Sequence, residues 1–311
     1  MNQNTSKAAQ ADVPEDFKTL MKRPRIAWPT FMLLFSAYAV FGLSSIAYIE
    51  GVLPLSWSIL FNALASYMAF TMAHEASHSS VCINQSVNDW AGRAAMLLLE
   101  PGPFFVLFRF IHMQHHRFTN DPEKDPDAWC GTGPGWLLPI RWLTVDFVYF
   151  RYYLKGETFR KRPEKEKAEF IFSVLFAVAV VTTVIAVGWL EYYLLLFLIP
   201  TRVAKLVIVL AFDFLPHFPH DVTAKDNRYR ATSNRVGLEW LMTPLFISQN
   251  YHLVHHLYPA VPFYRLLKIW NARRAFHTSK DPATVNTLAL KPNGFFLKKM
   301  CCQLPSVMLF N

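Results

Sequence analysis

The chain has 311 residues, of which 53% are hydrophobic and only 17% charged, with 27 Phe and 9 Trp. A soluble domain of this size carries roughly a quarter charged residues, and the mean hydropathy here is positive, so composition excludes an ordinary water-soluble globule. The formal charge of +9 comes with no fold signature of a nucleic-acid reader, which leaves no nucleic-acid partner and points to the charge bias of a membrane protein.

The first segment, Met1 to Leu20, is polar and carries Asp12, Glu15 and Asp16. It lacks the basic start and short apolar core of a secretory signal. Residues 1–25 are expected to form a disordered or surface-lying tail. A first apolar stretch follows from Trp28 to Ile49 and a second from Trp57 to Met72. A bilayer takes about 20 apolar residues; the second stretch is short for this, and is expected to continue as helix into the group His74-Glu-Ala-Ser-His78. Next comes Ala94 to Ile111, broken by Glu100-Pro-Gly-Pro103 and read as re-entrant or interfacial. A full crossing there would put the His74 group and the next one, His112-Met-Gln-His115-His116, on opposite membrane faces. A basic segment then runs from Arg151 to Lys167. The third and fourth spans are Phe170 to Leu190 and Tyr192 to Phe214. Arg202 and Lys205 interrupt the fourth, so they must snorkel, face protein, or lie on a helix only partly exposed to lipid.

Two further groups follow, His217-Phe-Pro-His220 and His252-Leu-Val-His255-His256. Ten of the eleven histidines thus fall in four clusters, and only His277 stands apart, read as a surface residue. Imidazole is the commonest neutral metal ligand. Spacings of three and four place side chains on one helical face. Repeated HxxxH and HxxHH patterns therefore imply a polynuclear metal site. The groups span residues 74 to 256 and must meet, so residues 26–311 are expected to form one domain.

Basic residues set the expected orientation. Lys22, Arg23 and Arg25 precede the first span, and the Arg151–Lys167 segment precedes the third. The turns at Glu50 to Ser56 and Gly188 to Glu191 hold no Lys or Arg. Positive loops stay cytoplasmic. Both termini and all four histidine groups are then cytosolic, in a multi-pass protein of the cytoplasmic (inner) membrane if bacterial. The fold class is all-α and integral to the membrane: four transmembrane helices with a cytosolic helical cap that carries the di-metal site. The cysteines Cys82, Cys130, Cys301 and Cys302 form no CxxC and are expected to be reduced thiols.

His74-Glu75-xx-His78 also matches HExxH, in which two histidines bind zinc and the glutamate is the general base. An intramembrane zinc protease is therefore an alternative of another class. Mononuclear catalytic zinc needs only three protein ligands, which would leave most of the clustered histidines without a role.

The order HxxxH, HxxHH, HxxHH resembles that of the membrane fatty acid desaturase superfamily, histidine-rich non-haem di-iron enzymes that include acyl desaturases, alkane hydroxylases and carotenoid ring hydroxylases and ketolases. The resemblance covers roughly residues 71–265 and the four-span layout. Three longer strings sharpen it: HMQHHRFTNDPEKDPDA (His112 to Ala128), FDFLPHFPHD (Phe212 to Asp221) and QNYHLVHHLYPAVPFYR (Gln249 to Arg265). They look most like the β-carotene ring hydroxylase branch.

The resemblance implies metal ligation by His74 and His78, by His112, His115 and His116, and by His252, His255 and His256. It adds a ligand after the fourth span, where Asp213 and His217 stand four apart; His217 is favoured over His220 on helical spacing. Asp213 would hold a water on iron or orient a ligand. Pro216 and Pro219 should end the helix there. Asn120, Asp121, Asp125 and Asp127, with Glu75, Asn250 and Tyr251, are candidates for orienting ligand imidazoles or, for Asn120, Asp125 and Asn250, for additional ligation; their plainer role is in polar turns. The family also implies two irons, O₂ as co-substrate and electrons from a separate ferredoxin, rubredoxin or cytochrome b5-like protein. The basic Arg151–Lys167 segment is a candidate dock for an acidic donor, or else an anchor to anionic lipid.

The implied reaction is O₂-dependent oxidation of lipid C–H bonds, with a fatty acyl chain as the leading substrate and a carotenoid ring as the alternative. Such a substrate is placed by shape, so an apolar tunnel is expected, with Tyr67, Phe70, Phe104, Phe105 and Phe108 as candidate lining.

Overall fold

The structure, a computed structural model, describes residues 14–292. Four helices are long and apolar enough to cross a membrane: α2 (Trp28–Ile49), α3 (Leu55–Ser77), α8 (Glu164–Ala186) and α9 (Leu190–His217). They match the four apolar stretches of the sequence, and α3 does run on through His74. The chain is a multi-pass, almost wholly helical membrane protein.

Burial separates the spans into two kinds. Only 17% of the apolar window of α2 and 11% of that of α8 is covered by protein, against 50% for α3 and 44% for α9. The inner helices α3 and α9 therefore carry the site, and α2 and α8 face lipid. Helix α3 packs closely because it presents small residues: Ala63, Ala65, Ala69, Ala73 and Ala76 are all buried. In lipid, where apolar burial gives no net drive, small residues and interhelical hydrogen bonds hold helices together. Asn62 donates to the Leu196 carbonyl at 2.8 Å and to Ser45 Oγ at 3.0 Å, and accepts from Ser44. Ser66 donates to the Leu98 carbonyl at 2.7 Å. Leu196 lies in one of two widened, π-type turns of α9, at Leu194–Leu198 and Val209–Phe214. Such turns recur at functional sites and displace the residues that follow them.

Between α3 and α8, among the described residues, no helix is long and apolar enough to cross a membrane. Helix α4 (Gln85–Met96) begins under a cap in which Asn84 accepts from the Ser86 amide at 2.9 Å. The Glu100-Pro-Gly-Pro turn separates α4 from α5 (Phe105–Phe118), so the stretch read as re-entrant or interfacial is divided between two shorter helices. Two short helices, α6 (Leu138–Leu143) and α7 (Val145–Leu154), then pack against α9 and α5. Arg202 and Lys205 resolve as protein-facing: Arg202 binds Asp146 and the Leu143 carbonyl, and Lys205 binds Glu100 and Asp146.

After α9 come α10 (Glu239–Leu245), α11 (His252–Leu257) and α12 (Leu266–Ala272). The all-α expectation misses one small feature. Strand β1 (Asn234–Val236) pairs in parallel with β2 (Thr284–Asn286), Arg235 opposite Val285. Arg235 also donates to the carbonyls of Asn286, Thr287 and Ala289. Of the N-terminal tail, residues 1–13 lie outside the described residues. The rest includes α1 (Glu15–Met21), which lies on the cap with Phe17 buried against Tyr258 and beneath Arg273.

His277 corrects the sequence reading. It is fully buried, stacked on Trp270 with centroids 5.3 Å apart and planes 8° apart, and its Nδ1 lies 3.3 Å from the Tyr229 hydroxyl. Isolation along the chain says nothing of burial; α12 and the segment after it fold back over this ring. Cys82 and Cys130 are free thiols, and Cys301 and Cys302 lie outside the described residues.

Candidate metal centre

Nine imidazoles converge at the cytosol-facing ends proposed for α3 and α9, and they do so in two groups. His74, His78, His112, His116 and His255 bring one ring nitrogen each within 4.8 Å of one another, and His115, His217, His252 and His256 do the same. Each helix supplies its rings by spacing. His74 and His78 lie four apart at the end of α3, as do His112 and His116 on the last turns of α5 and His252 and His256 on α11. His115 and His255 are one residue out of step with those pairs, so α5 and α11 each feed both groups.

The nitrogens face one another too closely for ordinary packing. His78 Nε2 lies 2.8 Å from His112 Nε2, and His116 Nε2 lies 3.2 Å from His112 Nε2 and 3.0 Å from His255 Nε2. In the second group, His252 Nε2 lies 3.1 Å from both His217 Nε2 and His256 Nε2. A neutral imidazole has one donor nitrogen, so this many Nε2 atoms cannot satisfy each other as hydrogen bonds. Both ring nitrogens of the buried His74 and Nδ1 of His217 have no hydrogen-bond partner among the described residues. Converging lone pairs and unpartnered buried nitrogens are what a metal would satisfy, so the donor set fits metal ions. Burial first, then the neighbouring imidazoles, holds His78, His112, His116, His252, His255 and His256 well below the ordinary histidine range. These rings are therefore neutral near pH 7, the state that ligates.

His115 is the exception. Its Nδ1 lies 3.0 Å from Asp125 and 3.2 Å from Asp127. Burial opposes its charge, but the two carboxylates outweigh burial and push it up to about 10. The ring by itself therefore holds both protons near pH 7; Nδ1–H stays toward Asp125, and a metal in the second group would displace the proton on Nε2. Asp125 is itself held by the backbone amides of Asn120 and Asp127, at 2.7 Å and 2.9 Å. Tyr149, on α7, donates to Asp127 at 2.6 Å. His252 is oriented the same way, with Nδ1 at 2.8 Å from Gln249 Oε1.

The end of α9 is built to deliver His217. The helix stops there, Phe218–Pro219 is a cis peptide, and β1 draws the segment inward: Ser233 donates to the Pro216 carbonyl and accepts from the Leu253 amide. That sets His217 beside His252. His220 is not brought to the nine. Its ring packs on Gly131, where a Cβ would come within 2.3 Å of Nε2, and near Phe214.

The remaining candidates take different places. Asn120, at φ +62°, donates to the Val222 and Ala231 carbonyls, tying the loop after α5 to the segment beyond α9. Asn250 lies near the Arg235 carbonyl and Thr243, and it is Gln249, not Asn250, that meets a histidine. Asp121 caps the amides of Glu123 and Lys124. Glu75 accepts from Thr30 Oγ1 at 2.7 Å and from the Phe263 amide. It is thus committed to joining α2, α3 and the segment after α11, and the zinc-protease reading loses its general base. Asp213, within the second widened turn, lines a cavity beside His115.

That cavity, about 80 Å³, reaches from His74, His112, His115 and His252 down between α3, α5, α7 and α9. Phe70, Phe104 and Phe108 line it as expected. Phe105 instead packs against Gly92, and Tyr67 faces a separate apolar groove of about 550 Å³ with its hydroxyl on the Leu245 carbonyl. Sequence reasoning missed Tyr149 and Gln249, since neither carries a motif; Gln249 stands three residues before His252, the one available signal.

The basic segment read as a donor dock or else a lipid anchor is largely self-neutralised. Glu157 pairs with Arg160 and Lys161, and Glu164 pairs with Lys167. Arg162 binds Glu166 and covers the Phe110 ring at 4.5 Å.

Comparison with known proteins agrees with this architecture. The family model described as "Fatty acid desaturase" matches residues 51–285. The chain is 26% identical to a chloroplastic Omega-6 fatty acid desaturase of Spinacia oleracea over 77% of this chain and 57% of that protein. It is 29% identical to a β-carotene ketolase of a Paracoccus species over 63% of this chain and 71% of the ketolase. A dihydrorhizobitoxine desaturase of Bradyrhizobium elkanii is 25% identical over 73% of this chain and 68% of its own length.

Proposed function

The chain belongs to the fatty acid desaturase family, and we propose that it oxidises C–H bonds of a lipid with O₂, by desaturating or hydroxylating a fatty acyl chain. The observation that carries the reading is the meeting of two imidazole groups with the head of an apolar cavity. His74, His78, His112, His116 and His255 would hold one iron, and His115, His217, His252 and His256 the other. When bound, two irons supply an oxidant made from O₂ that is strong enough for an unactivated C–H bond.

The chain's own residues do the rest. Asp125, Asp127 and Gln249 orient His115 and His252. Phe70, Phe108 and Phe212 wall the cavity next to His74 and His112, excluding water and fixing the chain by shape. Placement of the carbon against the metal centre then selects a double bond or an alcohol. Asp213 stands where it can hold a water or a proton beside the second group.

A carotenoid ring is the second reading, favoured by the similarity to the ketolase. Two electrons per turnover would come from an external ferredoxin, rubredoxin or cytochrome b5-like protein. The basic residues before α2 and between α3 and α8 support placing both termini and the metal centre in the cytosol.

The test is product analysis by mass spectrometry, in a host that supplies an electron donor and, in parallel, β-carotene, with His255→Ala as control. New unsaturated or hydroxylated acyl chains that vanish in the control are expected. Oxidised carotenoid alone would move the substrate to the ring. No product in either pool, from protein that holds its irons and receives electrons, would contradict both.

A further inference from the structure

The cavity that starts at the histidines is apolar along its walls but not throughout. Glu100 and Asp146 also line it, and between them lies Lys205 of α9. Lys205 is 6% exposed, with its ammonium 2.7 Å from Glu100 Oε1 and 2.7 Å from Asp146 Oδ2. Arg202 completes the cluster, 2.7 Å from the same Asp146 oxygen. Two carboxylates and two cations balance, so the cluster is neutral as a whole.

Buried ion clusters are a poor source of fold stability. Removing charges from water costs several kcal/mol per ion, and buried pairs are often replaced by apolar residues without loss of stability. Ionisable groups inside membrane bundles mark functional positions by default. This cluster has capacity to spare. Lysine has three donors; two are used, and no further partner for Lys205, nor any for the second Glu100 oxygen, appears among the described residues. One spare donor beside one spare acceptor matches a hydroxyl, which both accepts and donates. A neutral cluster gives no net attraction to an anion.

Its distance from the chemistry follows from α9. Lys205, Ile208, Val209, Phe212 and Asp213 line the cavity in turn. The eight residues from Lys205 to Asp213, at about 1.5 Å each, place the cluster roughly 12 Å along α9 from the head of the cavity beside His115, slightly less over the widened turn.

We propose that Lys205 and Glu100 bind a neutral hydroxyl on the substrate chain, about 12 Å from the oxidised carbon, so that the preferred substrate is a hydroxyl-bearing lipid rather than a bare hydrocarbon end. The inference rests on the reading of this cavity as the substrate chamber, and it makes Lys205 and Glu100 specificity-determining residues.

The test is equilibrium binding of hexadecane, 1-hexadecanol and palmitate to the purified, detergent-solubilised full chain, compared with the double variant Glu100→Leu/Lys205→Met. The wild type should prefer the alcohol to the alkane, and the double variant should lose roughly tenfold or more of that preference, as expected for a hydrogen bond to a charged group. Metal content and circular dichroism report whether the variant folds. Should it not, Glu100→Gln leaves the cluster with one net positive charge, and palmitate should then gain on the alcohol. Saturable binding of alcohol and alkane with no difference between wild type and variants would overturn the hydroxyl assignment alone. Absence of saturable binding by any of the three chains would overturn the substrate chamber, and the proposed function with it.

Discussion

His116 and His256 stack with centroids 4.1 Å apart and planes 20° apart, although they belong to different imidazole groups. The two groups therefore share a wall. Helices α5 and α11 supply rings to both, so a shift of either helix moves ligands at both positions. His256→Ala should accordingly deplete iron at both sites, leaving less than one iron per chain by elemental analysis. Retention of one fully occupied site would show that the groups are independent.

Asp125 holds His115 by its Nδ1, and the loop amides of Asn120 and Asp127 hold Asp125. Asp125→Ala should lower metal affinity roughly 10–100-fold, the usual loss when a ligand histidine loses its carboxylate partner. Gln249→Leu should lower it in the same direction through His252. Chelator competition on purified protein measures both. Unchanged affinity in Asp125→Ala would remove this carboxylate from the account.

How much of this was legible differs by residue. Run length marked the four spans, and spacings of three and four marked the ten clustered histidines, because a helix converts sequence period directly into a shared face; nine of them converge, and the same spacing marked His220, which does not. The partner contacts were not legible. His115 meets His256 across 141 positions and Asn62 meets Leu196 across 134, separations over which local pattern carries no information. His277 was misread for the same reason, since only the returning chain buries it. The pairing of β1 with β2 spans three residues on each strand, too short to leave an alternation in the sequence.

Glu75 accepts hydrogen bonds from Thr30 and from the Phe263 amide. Glu75→Ala leaves the Thr30 hydroxyl buried and unpaired, which costs about 1–3 kcal/mol, and removes the partner of the part-buried Phe263 amide. The expected outcome is a lower melting temperature with lipid oxidation retained per folded molecule. Melting and turnover measured on one preparation check it. Full loss of turnover in a folded, iron-loaded variant would return Glu75 to the chemistry.

Lys155 and Lys165 are exposed on the basic segment, with no ion pair among the described residues. If this face docks an acidic donor, Lys155→Glu/Lys165→Glu should slow donor-dependent turnover severalfold at low salt and less at high salt, as screening shortens electrostatic reach. Steady-state kinetics against donor concentration at two ionic strengths reads this. Identical kinetics in both would leave the segment to lipid head groups.

Nine histidines from four helices are proposed to hold two irons. Metal stoichiometry of the purified wild-type chain, by elemental analysis alongside Mössbauer spectroscopy, tests it most directly. Two irons per chain are expected, both lost in His255→Ala/His256→Ala. A single zinc per chain that survives this double substitution would contradict it.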